Sequence, residues 1–219
     1  MKNLVIFGTG DIAQIANYYF EIDSDYTVLA FTVNKAYANE NTLEGKPIIP
    51  FEELSEHFGV NDVEIFIAMS YSKMNQDREK IFGFIKSKGY SLASYISSKC
   101  SYLSQYLPGE NAFILEDNTV QPFVKIGDNV TLWSGNHIGH HSEIKSHNFI
   151  SSHVVISGHC LIESNCFLGV NSTLAHKVLL KSGTLLGAGV VINKNTEENG
   201  VYVSARPTKL NKFSSEIEL

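Results

Sequence analysis

The chain has little cysteine and no surplus of positive charge. Three cysteines among 219 residues are too few for a disulfide framework. Seventeen Lys and Arg against twenty-three Asp and Glu leave a net charge of −6, which argues against nucleic acid as the main partner. No apolar run approaches the ~20 residues that a membrane span needs. The amino terminus enters a strand-like KNLVIFG with neither an apolar targeting run nor a cleavage site, so a cytoplasmic protein is expected. With 43% hydrophobic and 18% charged residues, the composition is that of a soluble globular protein.

What is present is a repeat. From Ile126 to Glu197 the chain divides into twelve uninterrupted six-residue blocks, each opening on Ile or Leu: IGDNVT, LWSGNH, IGHHSE, IKSHNF and onward to INKNTE. Helices repeat at 3.6 residues and strands at 2, so a period of six fits neither as one long element. It fits a solenoid in which each block forms one short flat side and three blocks complete a coil. The first residue of each block is expected inside, with a small fifth residue such as Val130, Ser142, Val154, Ser172, Thr184 or Val190. Cys160 and Cys166 share that fifth phase and read as small core residues. Weaker blocks run back through Val120, Ile114 and Pro108.

The hundred residues before the repeat suit one independent domain. A strand over Lys2–Gly8 runs into Gly8-Thr9-Gly10-Asp11-Ile12, then a helix to Phe20 and a second strand over Tyr26–Val33. This is the opening of a βαβ unit whose glycine turn leaves amides free at a helix start, where phosphate can sit. A β-branched side chain at Gly10 is expected to strain the turn and block the phosphate. A dinucleotide site expects an acid at the end of the second strand; Phe31-Thr32-Val33-Asn34 offers none, which counts against NAD. A third strand is expected over 62–68, a helix over 77–88 and a last strand over 91–97. Ligands of open parallel sheets bind at the carboxyl ends of strands. Gly8, Thr9, Gly10, Asp11 and Ile12 therefore converge with Thr32, Asn34 and Lys35 and with Ser70, Tyr71 and Lys73. Tyr71 offers a ring to a base and Lys73 a charge to a phosphate, although both also fit an ordinary solvated loop.

Seven of the eight histidines lie in the repeat, and His141, His147, His153 and His159 share its fourth position. His141 and His159 are one coil apart and are expected to stack ~4.8 Å apart. That spacing invites a metal, but no carboxylate or cysteine shares the column, so no metal site is expected. His140 differs: it follows Gly139 on a rigid coil, and its ordinary pKa near 6.5 suits general-base work. On the residues alone, a surface histidine in a histidine-rich stretch is the better fit.

A glycine-turn domain followed by such a solenoid resembles the bacterial sugar O-acyltransferase family, which includes sialic-acid O-acetyltransferases and N-acetyltransferases of nucleotide-linked 4-amino sugars. The most specific segments are IGHHSEI, the stretch from Cys166 to Ser172, and LLGAGVVI. The resemblance implies an α/β Rossmann-like nucleotide-sugar domain over 1–100. It implies a left-handed parallel β-helix over 101–219, ending in a short tail, with acetyl-CoA bound between the subunits of a homotrimer. The family's catalytic histidine, followed by an acid, falls on His140, and His141 stands in the acid's place; Glu143 or a backbone carbonyl is then expected to orient the ring. The same resemblance implies a coenzyme site at Phe149, Gly158, Val170 and Ala188, with Arg206 and Lys209 near coenzyme phosphates.

The activity so implied is acetyl transfer from acetyl-CoA to the amine of a nucleotide-linked sugar, of the 4-amino-4,6-dideoxy type, without a metal. His140 would be the base and the Gly158 amide the oxyanion donor. The rivals are O-acetylation of a sugar hydroxyl and a non-catalytic nucleotide-sugar-binding protein.

Overall fold

A computed structural model describes residues 1–211 and 213–217. The apolar run after Lys2 forms β1 (Lys2–Phe7), and the alternation from Tyr26 forms β2 (Tyr26–Val33). Between them α1 (Asp11–Ile22) lays Ala13, Ala16 and Phe20 against the sheet. A hairpin of β3 (Thr42–Leu43) and β4 (Lys46–Pro50) follows, then the short α2 (Leu54–His57), β5 (Glu64–Ile67) and α3 (Gln76–Ser87). The sheet order is β3-β4-β2-β1-β5, parallel except for the β3–β4 hairpin. The carboxyl ends of β2, β1 and β5 therefore lie side by side.

The solenoid is a left-handed parallel β-helix. Its strands are two residues long and pair eighteen residues apart, as in Phe149 with Phe167 and His137 with Val155, until the last pair of the first wall, Leu185 with Val201. The first wall runs from Tyr95–Ile96 to Val201–Tyr202, the second from Ser101–Tyr102 to Val191–Ile192, and the third from Lys125–Ile126 to Leu179–Leu180. Every block-opening residue from Ile126 to Ile192 is buried, and so is every fifth residue from Val130 to Thr196. Each fully buried Ile or Leu contributes roughly 1.5–3 kcal/mol, so the periodic interior is the main source of stability. A polar fifth residue can bond backbone inside the coil: the Asn148 amide donates to the Lys145 and Glu163 carbonyls, and its Oδ1 accepts from the Cys166 N–H. The fourth residue of most blocks turns the corner at positive φ, between 54° and 68° at Asn111, Asp117, Phe123, Asn129, His141, His147, His153, His159, Asn165, Asn171 and Lys177. Asn, Asp and His tolerate this left-handed backbone better than most residues. The recurrence of histidine at position four therefore has a conformational cause.

Two expectations shift. The strand expected over 91–97 divides: Leu92 bridges Ile65, whereas Tyr95–Ile96 pairs with Phe113–Ile114 on the first wall. Solenoid pairing thus begins before the expected boundary at 101, because Tyr95 is buried in the core that the two halves share with Phe20, Phe66 and Phe113. The β3–β4 hairpin and α2 were not expected.

The first domain sits on the first wall and the edges flanking it. Tyr71 packs on Phe149 and Phe167, with ring centroids 4.9 and 4.4 Å away. Arg78 is fully buried and donates to the Thr131 hydroxyl, to Asn75 Oδ1 and to the Asn148 carbonyl. Burial pushes its pKa down to about 9, so it keeps its charge at neutral pH. On the other flank, Tyr19 donates to Glu116 at 2.6 Å, and Asp23 accepts from Tyr95, Ser97 and the Ser98 amide.

Candidate active site

The turn after β1 is strained at Gly8. Its φ is +132°, and a Cβ there would lie 2.6 Å from the Ala68 carbonyl oxygen. Its amide donates to the Thr32 carbonyl at 2.8 Å, which clamps β1 to β2. Gly10 caps α1 at φ −92° with open space around it. The backbone strain expected at Gly10 therefore belongs to Gly8; a side chain at Gly10 would only obstruct the approach to the helix start. Asp11 and Ile12 form the first turn of α1.

At the end of β2, Thr32 is buried, and neither its hydroxyl nor the Asn34 side-chain Oδ1 has a partner among the described residues. Lys35 turns away to Glu53 at 2.8 Å. A cavity of about 130 Å³ opens beside Thr9, lined by Tyr37, Asn39, Glu40, Leu43 and Ile48. Glu40, in the loop after β2, places a carboxylate at this cavity. Past β5, Ser70 and Ser72 approach at 3.4 Å, and Lys73, Met74 and Asn75 are left-handed in succession, at φ 49°, 54° and 64°. Lys73 pairs with Asp77, so its charge is directed along α3. Tyr71 spends one face on the solenoid wall and remains 48% exposed.

His140 stands on the edge between the second and third walls. Its backbone N–H donates to Gln121 Oε1 at 2.8 Å, its carbonyl accepts from the His159 N–H, and its ring lies over Gly158. A Cβ at Gly158 would come within 2.9 Å of His140 Cε1 and Nε2, so a side chain there would displace the ring from this position. The Gly158 amide has no hydrogen-bond acceptor among the described residues. The His140 and His141 Nδ1 atoms face each other at 3.0 Å, so one carries the proton and the other accepts it. His141 is itself held in a stack, 4.5 Å from Phe123 on one side and 4.8 Å from His159 on the other. Glu143, considered as the orienting group, pairs instead with Lys145 at 2.5 Å. The partner of His140 is the adjacent imidazole.

The coenzyme residues divide between edges. Gly158 lies beside His140, whereas Val170 and Ala188 lie exposed on the edge between the first and second walls. Phe149 is buried beneath Tyr71 and beside Trp133. Its place under the first domain was invisible to the repeat pattern, which assigns faces but not what covers them. Arg206 and Lys209 are exposed in the tail beyond the last strand. One chain does not bring these groups together.

Residues 123–158 match the bacterial transferase hexapeptide family (six repeats), and residues 161–205 match the hexapeptide repeat of succinyl-transferase. No curated protein matches the chain by sequence. Among solved structures, the acetyltransferase domain of PglB from Neisseria gonorrhoeae FA1090 superposes with a TM-score of 0.82 at 17% identity, covering 93% of this chain and 97% of that one. PerB from Caulobacter crescentus, solved with CoA and GDP-perosamine, gives 0.80 at 18% identity, with 93% and 95% covered. WeeI from Acinetobacter baumannii AYE gives 0.79 at 16%, with 93% and 97% covered. The chain thus joins a Rossmann-like domain to a hexapeptide-repeat β-helix of transferase type, the fold of these proteins along nearly its whole length.

Proposed function

We propose that this protein is an acetyl-CoA-dependent N-acetyltransferase of a nucleotide-linked amino sugar. The observation that carries the reading is His140, poised over the unpartnered Gly158 amide on a solenoid whose fold is shared with structures holding CoA and GDP-perosamine. The His140 Nδ1 proton points at His141, which leaves the lone pair on Nε2, above Gly158. A neutral sugar amine attacks the thioester carbonyl, and Nε2 takes the proton that the amine sheds. The Gly158 N–H receives the oxyanion; the C–S bond then breaks, and CoA departs as thiolate. His141 fills the orienting role of the missing acid as a neutral acceptor.

The strand ends around Thr9, Thr32 and Glu40 would hold the nucleotide. In a triangular coil, the edge bearing His140 lies opposite the first wall, where that domain is packed. A site using both therefore takes them from two chains, which supports a closed homotrimer with acetyl-CoA between subunits. The test is thiol release from acetyl-CoA with uridine, thymidine and guanosine diphosphate amino sugars, with sedimentation run in parallel. Release with an amino sugar, giving an amide product on a trimer, is the expected result. A hydroxylamine-labile product identifies O-transfer, and a fully active monomer overturns the two-chain site.

A further inference from the structure

We propose that the edge carrying His140, His141 and His159 binds one divalent transition-metal ion of the zinc type, as an inhibitor and not as a cofactor. One ligand atom from each of the three lies within 4.8 Å of the others, and all three side chains are exposed. Nitrogen ligands ~2.0–2.1 Å from a tetrahedral zinc stand roughly 3.3 Å apart, and the His140 and His141 Nδ1 atoms are already 3.0 Å apart. His141 and His159 are stacked with planes 10° apart, so one ring turns about its Cβ–Cγ bond to aim a lone pair at the ion. Exposure leaves that rotation free, while the hydrogen-bonded coil fixes the backbone of both. The His176 ring, 5.3 Å from His159, or a water completes the shell.

The donor set decides the ion. Imidazoles without a carboxylate suit Zn²⁺, Ni²⁺, Cu²⁺ and Co²⁺, and offer nothing to Mg²⁺ or Ca²⁺. The left-handed turn explains histidine at positions 141 and 159, but His140 and His176 sit one residue earlier, outside that preference. An ion on His140 Nδ1 moves the ring proton to Nε2, the atom that the proposed transfer needs unprotonated.

The test is calorimetric titration of tag-free, EDTA-treated protein with Zn²⁺, with Co²⁺ absorption as a second probe. One ion per chain, a nitrogen-ligand Co²⁺ spectrum without thiolate charge transfer, and no heat with Mg²⁺ are expected. His159→Asn keeps a residue that tolerates the turn and should weaken binding at least tenfold. His153→Asn, the same change on another edge, should leave it unaltered. No binding at micromolar Zn²⁺, equal affinity in His159→Asn, or a thiolate spectrum each overturns the proposal. Binding is read without substrate, so the result stands apart from that of the transferase assay.

Discussion

His141 and His147 occupy the same place in successive blocks and share one backbone conformation, with φ 58° and 63°. Their surroundings differ. His147 lies under α3, its Nδ1 2.9 Å from the Asn129 amide, its Nε2 3.7 Å from Glu79, and its ring against Phe82. Burial, partly offset by Glu79, lowers its pKa. His141 has no helix over it; it faces His140 and the solvent. The repeat thus sets where a histidine can stand, and the cover laid over each edge decides whether it packs or stays exposed.

The sharpest break of this comparison is at the open edge. His140→Ala should lower kcat by ~10²–10⁴-fold, the usual contribution of a general base, with the circular dichroism unchanged because the side chain is exposed. His141→Asn, which keeps the turn, should cost less than His140→Ala. If His141→Asn is the inactive variant and His140→Ala nearly normal, the base has been assigned to the wrong ring. At the covered edge the larger effect is on stability. Arg78→Ala leaves the Asn75 side chain and the Asn148 carbonyl without their buried donor and opens a cavity, so a loss of about 3 kcal/mol is expected in urea unfolding. An unchanged midpoint would show that α3 docks without it.

Within the glycine turn, Gly8→Ala should destabilise by about 2 kcal/mol, since it combines a left-handed φ with a backbone clash. Gly10→Ala should stay within ~0.5 kcal/mol; thermal melts of the pair compare them directly. His147→Asn should cost about 1 kcal/mol and leave turnover intact, unlike the same substitution at 141.

The smallest effect is expected at Asp23. Burial alone would raise its pKa, yet hydrogen bonds from Ser98, Tyr95 and Ser97 lower it from 3.8 to about 2. A depressed carboxylate pKa stabilises the fold above the unfolded value, so this contribution is present above pH 4 and is lost as pH falls toward 2. Asp23→Asn should flatten the acid limb of the stability curve over that window; an unaltered limb would remove Asp23 from the junction's electrostatics.

The solenoid was legible because one short rule, a large apolar residue every six, repeats without interruption and fixes burial at Ile126, Ile138 and Ile150 alike. The stacking of His141 on His159 followed from the coil length for the same reason. β1, α1 and β2 were legible from ordinary periodicity. The hairpin at 42–50 was not, because its strands are two and five residues long and Pro47 and Pro50 disguise them. The cover over Phe149 and His147 and the contact between the His140 and His141 rings depend on tertiary placement, which no local pattern encodes.

The eighteen-residue coil turns position along the chain into an address. Inserting one whole coil before Ile126 would lengthen the prism by ~4.8 Å and return every later residue to its own edge. Inserting a single block would instead rotate the downstream solenoid by one wall. His140 would then move to an edge flanking the first wall, while the sites that receive Arg78 and Tyr71 would be carried away from α3. Length variation in this chain is therefore quantised: eighteen residues keep every later residue on its edge, and six exchange the open edge for a covered one.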